Sequence, residues 1–477
     1  MYQITAIQSA YLHVGRLANE LMHSAVVPIE GVQSVPIPIG EDGKPDLKNI
    51  LDQVRRNTER INTAFTVYGS SVLTVGILAK AIGTDVVSLG TGWPETSGPQ
   101  LYVCSGRKEE RDAAEELLAN WAGPYVTDLL TVTELVRSEC EDVLSLVAPL
   151  YISQSASDTV SSLVHSAEQD PNSAYLSERD GEFTFTDNTS AMRSHRLEFI
   201  RKVRFCVDKY CIPSPAYGPE TVPAEIRNIG HHLDGGSFDF LLLSLEQKAL
   251  GITLDGRLRE LAAQIGKIEG IWPQVLMLKA LNKKTISHAI YSYAVIQALA
   301  SRRTHVSLGA NEIWWCLQQA PSLLQSSMRV VKQHLLDPKV EGESALLTVL
   351  ELLQIVLRTP AQLGAICEIS EHMFAAVFAH PSVDATSAHA LATQRLSEIL
   401  GAVFASVNRG WVEQSLAAPK LESWKNQVER SLGRARELSR KSKEEIIALP
   451  LRVVSPFCFR VPRLIFTGPE SIKTSLE

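Results

Sequence analysis

The chain has 477 residues, with 46 Lys and Arg against 53 Asp and Glu, a formal charge of −7, and 45% hydrophobic and 21% charged residues. That balance fits a soluble globular protein of about two or three domains and excludes a disordered chain or one that coats nucleic acid by bulk positive charge. Seven cysteines, an odd number without regular spacing, exclude a disulfide scaffold and point to reduced thiols in a cytoplasm.

In chain order, Val35–Pro45 is rich in Pro and Gly and reads as a loop or extended connector, and 46–62 reads as an amphipathic helix with a charged face. Gln100–Cys104 reads as a strand. Gly106-Arg-Lys-Glu-Glu-Arg then opens a helix; a Gly beside basic residues can cradle a phosphate, but a solvated helix start explains it as well. Tyr125-Val-Thr127 is a short apolar strand ending at Asp128. Leu150-Tyr-Ile-Ser reads as a second strand turning into a helix with Asp158 in its first turn. Asp180–Thr189 suggests a hairpin or an extended arm. A helix is expected to follow, carrying Arg193, His195, Arg196, Arg201, Lys202 and Arg204. Its cations Arg196, Arg201 and Arg204 can track a phosphate backbone, although such runs are ordinarily solvated faces. Cys206 and Cys211 are the closest cysteine pair, and without further ligands they read as structural thiols.

The most informative stretch is Ser237–Ala262. Apolar positions 238, 241, 242, 245 and 249 mark a helix starting close to Asp239, with Asp234 an alternative acid after His231-His232. Gly251 is read as the helix end and Ile252-Thr-Leu254 as a buried strand that stops at Asp255; Arg257–Ile265 returns to helical periodicity. Acids at a helix start and at the carboxyl end of a strand both point to the ligand-binding edge of an open α/β sheet. Clustered carboxylates repel unless a hard cation neutralises them, and all-oxygen ligation suits Mg²⁺ or Mn²⁺. Asp caps on helices are the plainer explanation of each acid taken alone.

This order of elements resembles a PIN domain. The resemblance is nearest to the PIN-like module of large bacterial proteins that also carry tetratricopeptide repeats and a Gre-factor-like domain. It rests on Thr253-Leu-Asp255-Gly-Arg-Leu-Arg-Glu-Leu-Ala, Ile268-Glu-Gly-Ile-Trp272-Pro-Gln-Val-Leu, Tyr291–Leu308 and, upstream, Gly106–Arg111. It implies an α/β fold with a parallel sheet flanked by helices and metal-dependent hydrolysis of phosphodiesters, with RNA the first expected substrate and structured or single-stranded DNA the second. The acids it implies are Asp128, Asp158, Asp239 and Asp255, holding Mg²⁺ or Mn²⁺. The second acid is displaced by one position from the family's usual Glu, so the alternative is a degenerate PIN fold serving as a protein-interaction scaffold.

From Lys283 onward the pattern is helical, at Tyr291–Ala300, Ala345–Arg358, Ala361–His380 and Ala388–Val407, with Trp314-Trp315 packed between helices. These helices are the expected surface for a protein partner. Glu422–Ile447 reads as an exposed or coiled-coil-like helix and Leu451–Pro462 as a short strand and tail. The most apolar segment is too short to span a bilayer, so no membrane partner is expected. The expected organisation is an N-terminal extension (1–122), a PIN-like domain (123–280) interrupted by an insertion (169–231), and a C-terminal helical domain with its tail (281–477).

Overall fold

The computed structural model describes residues 48–95, 98–170, 174–179, 181–357, 363–407 and 414–451; the connector at 35–45 and the tail after Leu451 lie outside them. The chain divides into two compact units, residues 1–64 with 171–193, and residues 65–170 with 194–477. In the first, strands β3 (Ala174–Arg179) and β4 (Glu182–Asp187) form an antiparallel hairpin, and Arg55 stacks over the Phe183 ring at 5.7 Å. Helix α1 (Lys48–Ser70) matches the amphipathic segment read at 46–62.

The second unit is built on a five-stranded parallel sheet in the order β5-β2-β1-β6-β7, flanked by helices, as the sequence implied. The strands are β1 (Tyr125–Thr127), β2 (Leu150–Ser153), β5 (Ile212–Ser214), β6 (Leu250–Ile252) and β7 (Gly270–Ile271). They are short and apolar because the interior strands are covered on both sides: Val126, Ile152, Leu250 and Ile252 are fully buried. Before β1 come α2 (Val75–Ile82), α3 (Val86–Gly92) and α4 (Lys108–Asn120). The strands are joined by α5 (Leu129–Arg137), α6 (Gln154–Glu168), α7 (Ser190–Tyr210), α8 (Ala224–Gly230), α9 (Gly235–Gln247) and α10 (Gly256–Gly266). Phe240, Leu241 and Leu243 of α9 and Leu258 and Ala262 of α10 close over Val126 in one apolar cluster.

Three boundaries differ from the sequence reading. Helix α9 starts four residues earlier than Asp239 would place it, at Gly235, and is capped at its carboxyl end by Lys248, which takes the left-handed conformation (φ 50°). Gly251 is therefore inside β6, where a Cβ would come within 2.8 Å of the Phe240 ring, so glycine is what lets that ring lie on the strand. Gln100–Cys104 is extended but not a strand of the sheet: only Leu101 pairs, in an isolated parallel bridge with Arg303.

Beyond β7 the chain is helical: α11 (Pro273–Asn282), α12 (His288–Ala300), α13 (Ala310–Leu317), α14 (Pro321–Leu335), α15 (Gly342–Leu357), α16 (Leu363–Phe378), α17 (Ala385–Val407), α18 (Gln414–Leu438) and α19 (Lys443–Ala448). Helix α18, expected as an exposed arm, packs along α16 and buries Val428, Leu432 and Ala435 completely. Buried Lys332 donates to the carbonyls of Leu449 (2.6 Å) and Ile446 (3.4 Å), neutralising the carboxyl end of α19. Trp315 lies edge-on to Tyr293. Among the described residues no single helix is long and apolar enough to cross a membrane.

One buried ion cluster joins the sheet domain to this array. Glu134 of α5 accepts from Arg137 (2.6 Å) and Arg303 (2.8 Å), and Arg303 also donates to the Gly90 carbonyl at 3.1 Å. Burial alone would raise the Glu134 carboxyl, but Arg303 and Arg137 hold it down at about 2. Because this folded value lies below the ordinary 4.5, the cluster's stabilisation is present above pH 4.5 and is lost as pH falls towards 2. Arg303→Met should therefore cost about 3 kcal/mol in urea unfolding at pH 7. The deficit should shrink in acid; a loss under about 1 kcal/mol at pH 7 would show the pair to be dispensable.

Candidate functional site

Strand pairing sets the site. Register Tyr125↔Leu250, Val126↔Gly251 and Thr127↔Ile252 makes β1 and β6 end together, so Asp128 and the segment Thr253–Asp255 emerge at the same carboxyl edge. Asp128 caps α5: its Oδ1 accepts from the Thr131 amide at 2.7 Å. The Thr253 hydroxyl donates to Asp128 Oδ2 and accepts from the Asp255 amide at 3.1 Å, so one side chain bridges the two acid-bearing corners. Thr131 Oγ1 in turn accepts from the Leu254 amide at 2.8 Å, tying the two corners a second time.

Asp255 is only 2% exposed. Its Oδ1 caps α10 through the amides of Arg257 (3.1 Å) and Leu258 (3.3 Å). Its Oδ2 accepts from the amide of Val75, the first residue of α2, at 2.6 Å. Asp234, N-cap of α9, accepts from the Ser237 amide at 3.0 Å through Oδ2, while its buried Oδ1 has no partner. The same start of α2 lies on it: a Cβ at Gly76 would sit 2.1 Å from Asp234 Oδ1, so glycine alone fits there. Neither Val75 nor Gly76 could be found from local sequence, because the contact to Asp255 spans 180 residues.

The charge of this edge is uncompensated by side chains. Among the described residues, no Arg or Lys side chain is ion-paired or hydrogen-bonded to Asp128, Asp234 or Asp255. Burial pushes the Asp128 carboxyl up; hydrogen bonds from Thr253 and Thr131 oppose this, and the charge of Asp234 adds to it. Burial likewise pushes Asp255 up to about 7, with the negative charge of Asp128 contributing and the amides of Val75, Leu258 and Arg257 opposing. Neighbouring Arg257 is engaged elsewhere, on the carbonyls of Tyr68 and Leu73 and over the Tyr68 ring at 3.9 Å.

The other expected residues are placed differently. Asp239 is in the second turn of α9, not at its start, and its carboxylate accepts from Ser155 Oγ at the start of α6. Asp158 is in the second turn of α6 rather than the first, exposed, and accepts from Gln154 Nε2 at 2.9 Å. On α7, Arg196 lies 3.9 Å from Asp170, Arg201 2.8 Å from Glu168 and Arg204 2.8 Å from Asp208. His231 and His232 are both exposed. Cys206 and Cys211 are buried free thiols.

The donor chemistry at the edge, carboxylate oxygens with one orphaned, suits a hard divalent cation. The arrangement does not present the donors together: both Asp255 oxygens are taken by backbone amides, and among the described residues no three of His, Cys, Asp and Glu form a ready metal set.

Residues 126–264 match the family described as the PIN domain associated with the TPR-GreAB-C-PIN system. No curated protein and no solved structure matches the chain.

The raised Asp255 carboxyl makes a stability prediction with a defined sign. An acid whose folded value, about 7, exceeds its ordinary 3.8 costs nothing below pH 3.8, destabilises the fold progressively as pH rises from 3.8 to 7, and costs a constant amount above that. Asn keeps an acceptor for the capping amides and carries no charge. Asp255→Asn should raise Tm in metal-free buffer at pH 8, by several degrees, and the gain should shrink below pH 7 and vanish only as pH approaches the ordinary 3.8. A Tm difference independent of pH would show that Asp255 does not titrate in this range.

Proposed function

We propose that the PIN domain of residues 126–264 is a divalent-metal-dependent nuclease acting on RNA, described here in a closed form. PIN domains generally denote nucleases and usually depend on a divalent metal. The observation that carries the reading is a contrast within one domain. Glu134, buried, is neutralised by two arginines, whereas Asp128, Asp234 and Asp255 are gathered at the ligand-binding edge of the sheet with no cationic side chain among them. Buried charge left unpaired is costly unless something outside the side-chain set balances it.

In the open form Asp128, Asp234 and Asp255 would hold Mg²⁺ or Mn²⁺. The ion would lower the pKa of a bound water and stabilise the leaving oxygen of a phosphodiester. The chain's own contribution is positional. Thr253 and Thr131 fix the Asp128 and Asp255 corners relative to one another, and the three helices that these acids cap hold their carboxylates at the edge. Asp239 and Asp158 flank this set. Arg196, Arg201 and Arg204 would meet backbone phosphates by exchanging their present carboxylate partners, so their share of affinity is salt-sensitive.

One observation favours the second reading, a PIN fold kept as a protein-interaction scaffold: Asp255 with three backbone amides is a complete structural cap and needs no ion. The two readings part at Val75. Proline is well tolerated at the first position of a helix, and Thr74 before it is already extended (ψ 159°), so Val75→Pro keeps α2 helical while its ring, in place of the amide hydrogen, pushes the start of α2 off the Asp255 carboxylate.

On a nuclease, wild type should cut single-stranded RNA only with Mn²⁺ or Mg²⁺, and Asp128→Asn should lose at least about 100-fold, given the several kcal/mol a catalytic ion supplies. Val75→Pro should bind Mn²⁺ more tightly and cut faster. A folded Val75→Pro protein that neither binds Mn²⁺ nor cuts RNA would leave the scaffold reading standing. Cleavage that survives Asp128→Asn or chelator would place the activity elsewhere.

A further inference from the structure

One connector neutralises a cation as well as an acid. Between α1 and α2, Ser71–Thr74 runs without regular structure, and Val72 within it is 85% exposed, so the connector lies at the surface. Just past its end, the Val75 amide donates to Asp255 Oδ2 at 2.6 Å. Inside it, the Leu73 carbonyl accepts from Arg257 Nη1 at 3.2 Å. The same nitrogen donates to the Tyr68 carbonyl, and the guanidinium lies 3.9 Å from the centre of the Tyr68 ring. Tyr68 itself is fixed: it is fully buried, edge-on to Trp93, and its hydroxyl accepts from the Tyr102 amide at 3.1 Å.

Arg257 is the second residue of α10, two positions after Asp255. Among the described residues no carboxylate pairs with it, whereas Arg196, Arg201 and Arg204 on α7 each have one. The connector thus answers an acid and a cation of the same edge with backbone alone. It sets a carbonyl oxygen on the guanidinium and, two residues on, an amide hydrogen on the carboxylate. Oxygen on an arginine is what a phosphate presents, and positive charge on an aspartate is what a divalent ion presents. A contact with both partners ionised is also stronger than one to a neutral carbonyl. A phosphate arriving with its ion can therefore displace the connector from both groups.

Resting on the nuclease reading above, we propose that Tyr68–Val75 is an autoinhibitory strap standing in for the ion and the phosphate together, and that Arg257 binds a phosphate of single-stranded RNA once the strap lifts. Leu78 and Ala79 are buried and keep the body of α2 in place, so release is confined to the connector and the first turn of α2. Strap and substrate are exclusive partners of one guanidinium.

RNA binding by the full chain carrying Asp128→Asn, read by fluorescence anisotropy with a single-stranded RNA oligonucleotide in Mg²⁺, tests this without cleavage. Adding Val75→Pro should tighten binding, because the strap is already off. On that background Arg257→Met should weaken it about tenfold, the margin of one charge-assisted contact, and lower the log–log salt slope by about 0.7. Arg257→Lys should keep the slope and most of the affinity, which guards against a misfolded Met variant. A residue that only clamps the strap would be silent there, since nothing remains to clamp. With Val75 intact, RNA should speed hydrogen exchange over residues 71–76, the reverse of the protection an ordinary contact surface acquires. An Arg257→Met change that leaves affinity and slope alone, or strap amides that RNA slows or does not alter, overturns the strap; Mn²⁺-dependent cleavage by wild type then still upholds the nuclease. If neither wild type nor Val75→Pro cuts RNA with Mn²⁺, both readings fall.

Discussion

The parallel pairing of β1 with β6 in a single register commits the rest of the edge. It brings Asp128 and Asp255 out of adjacent strands at the same level, and burial of both in one low-dielectric pocket then demands a neutraliser. The chain supplies backbone rather than side chains: the Thr131 amide on Asp128, the Arg257 and Leu258 amides on Asp255, and the Val75 amide that reaches in from α2. The arginine nearest in sequence is turned away to hold the Tyr68–Leu73 segment, which is the segment that delivers α2. The closure and the acids are thus parts of one construction.

How the same domain treats Glu134 shows that this is not a general shortage of cations. There two arginines converge on one carboxylate and hold it ionised far below neutral pH. That cluster spans α5, the Arg303 corner and the Gly90 carbonyl, so it locks the helices preceding β1 and the corner after α12 onto the sheet domain. Structural acid and edge acid are therefore distinguished by partner type within one helix length: Asp128 caps α5 and Glu134 lies six residues further along it.

Much of this was legible in the sequence, for reasons that are local. Tyr125–Thr127 and Leu150–Ser153 are short apolar runs that each end in a helix-capping residue, and strand and cap are both near-neighbour signals. The start of α9 is ambiguous in the sequence because two Asp residues, 234 and 239, flank the first position of the same apolar stripe, and either can cap a helix. The strand β6 was set two residues late because Gly251 reads as a helix stop, when its real use is to admit the Phe240 ring. The Val75 and Gly76 contacts left no trace in local pattern: a backbone amide has no side-chain signature, and the absence of a Cβ is informative only once its neighbour is known.

Three agents compete to neutralise Asp255, and their ranking decides what the edge can do. The amino end of α2 offers about half an elementary charge, delivered through one amide at 2.6 Å. A proton offers a full charge, and burial, which pushes this carboxyl up to about 7, favours its binding. The divalent ion of the proposed function would offer two charges and would be shared with Asp128 and Asp234, so its gain would grow with the number of acids gathered, whereas the gain from a helix end or a proton does not. What opposes the ion is the loss of the Val75 amide and of the Arg257 contacts that seat the segment before it. The order of the two weaker neutralisers is set by the fold, and the third enters only if the energy of gathering three acids around two charges exceeds the energy of one helix end. Gly76 keeps that contest close, since any side chain there would already have forced α2 off the Asp234 carboxylate.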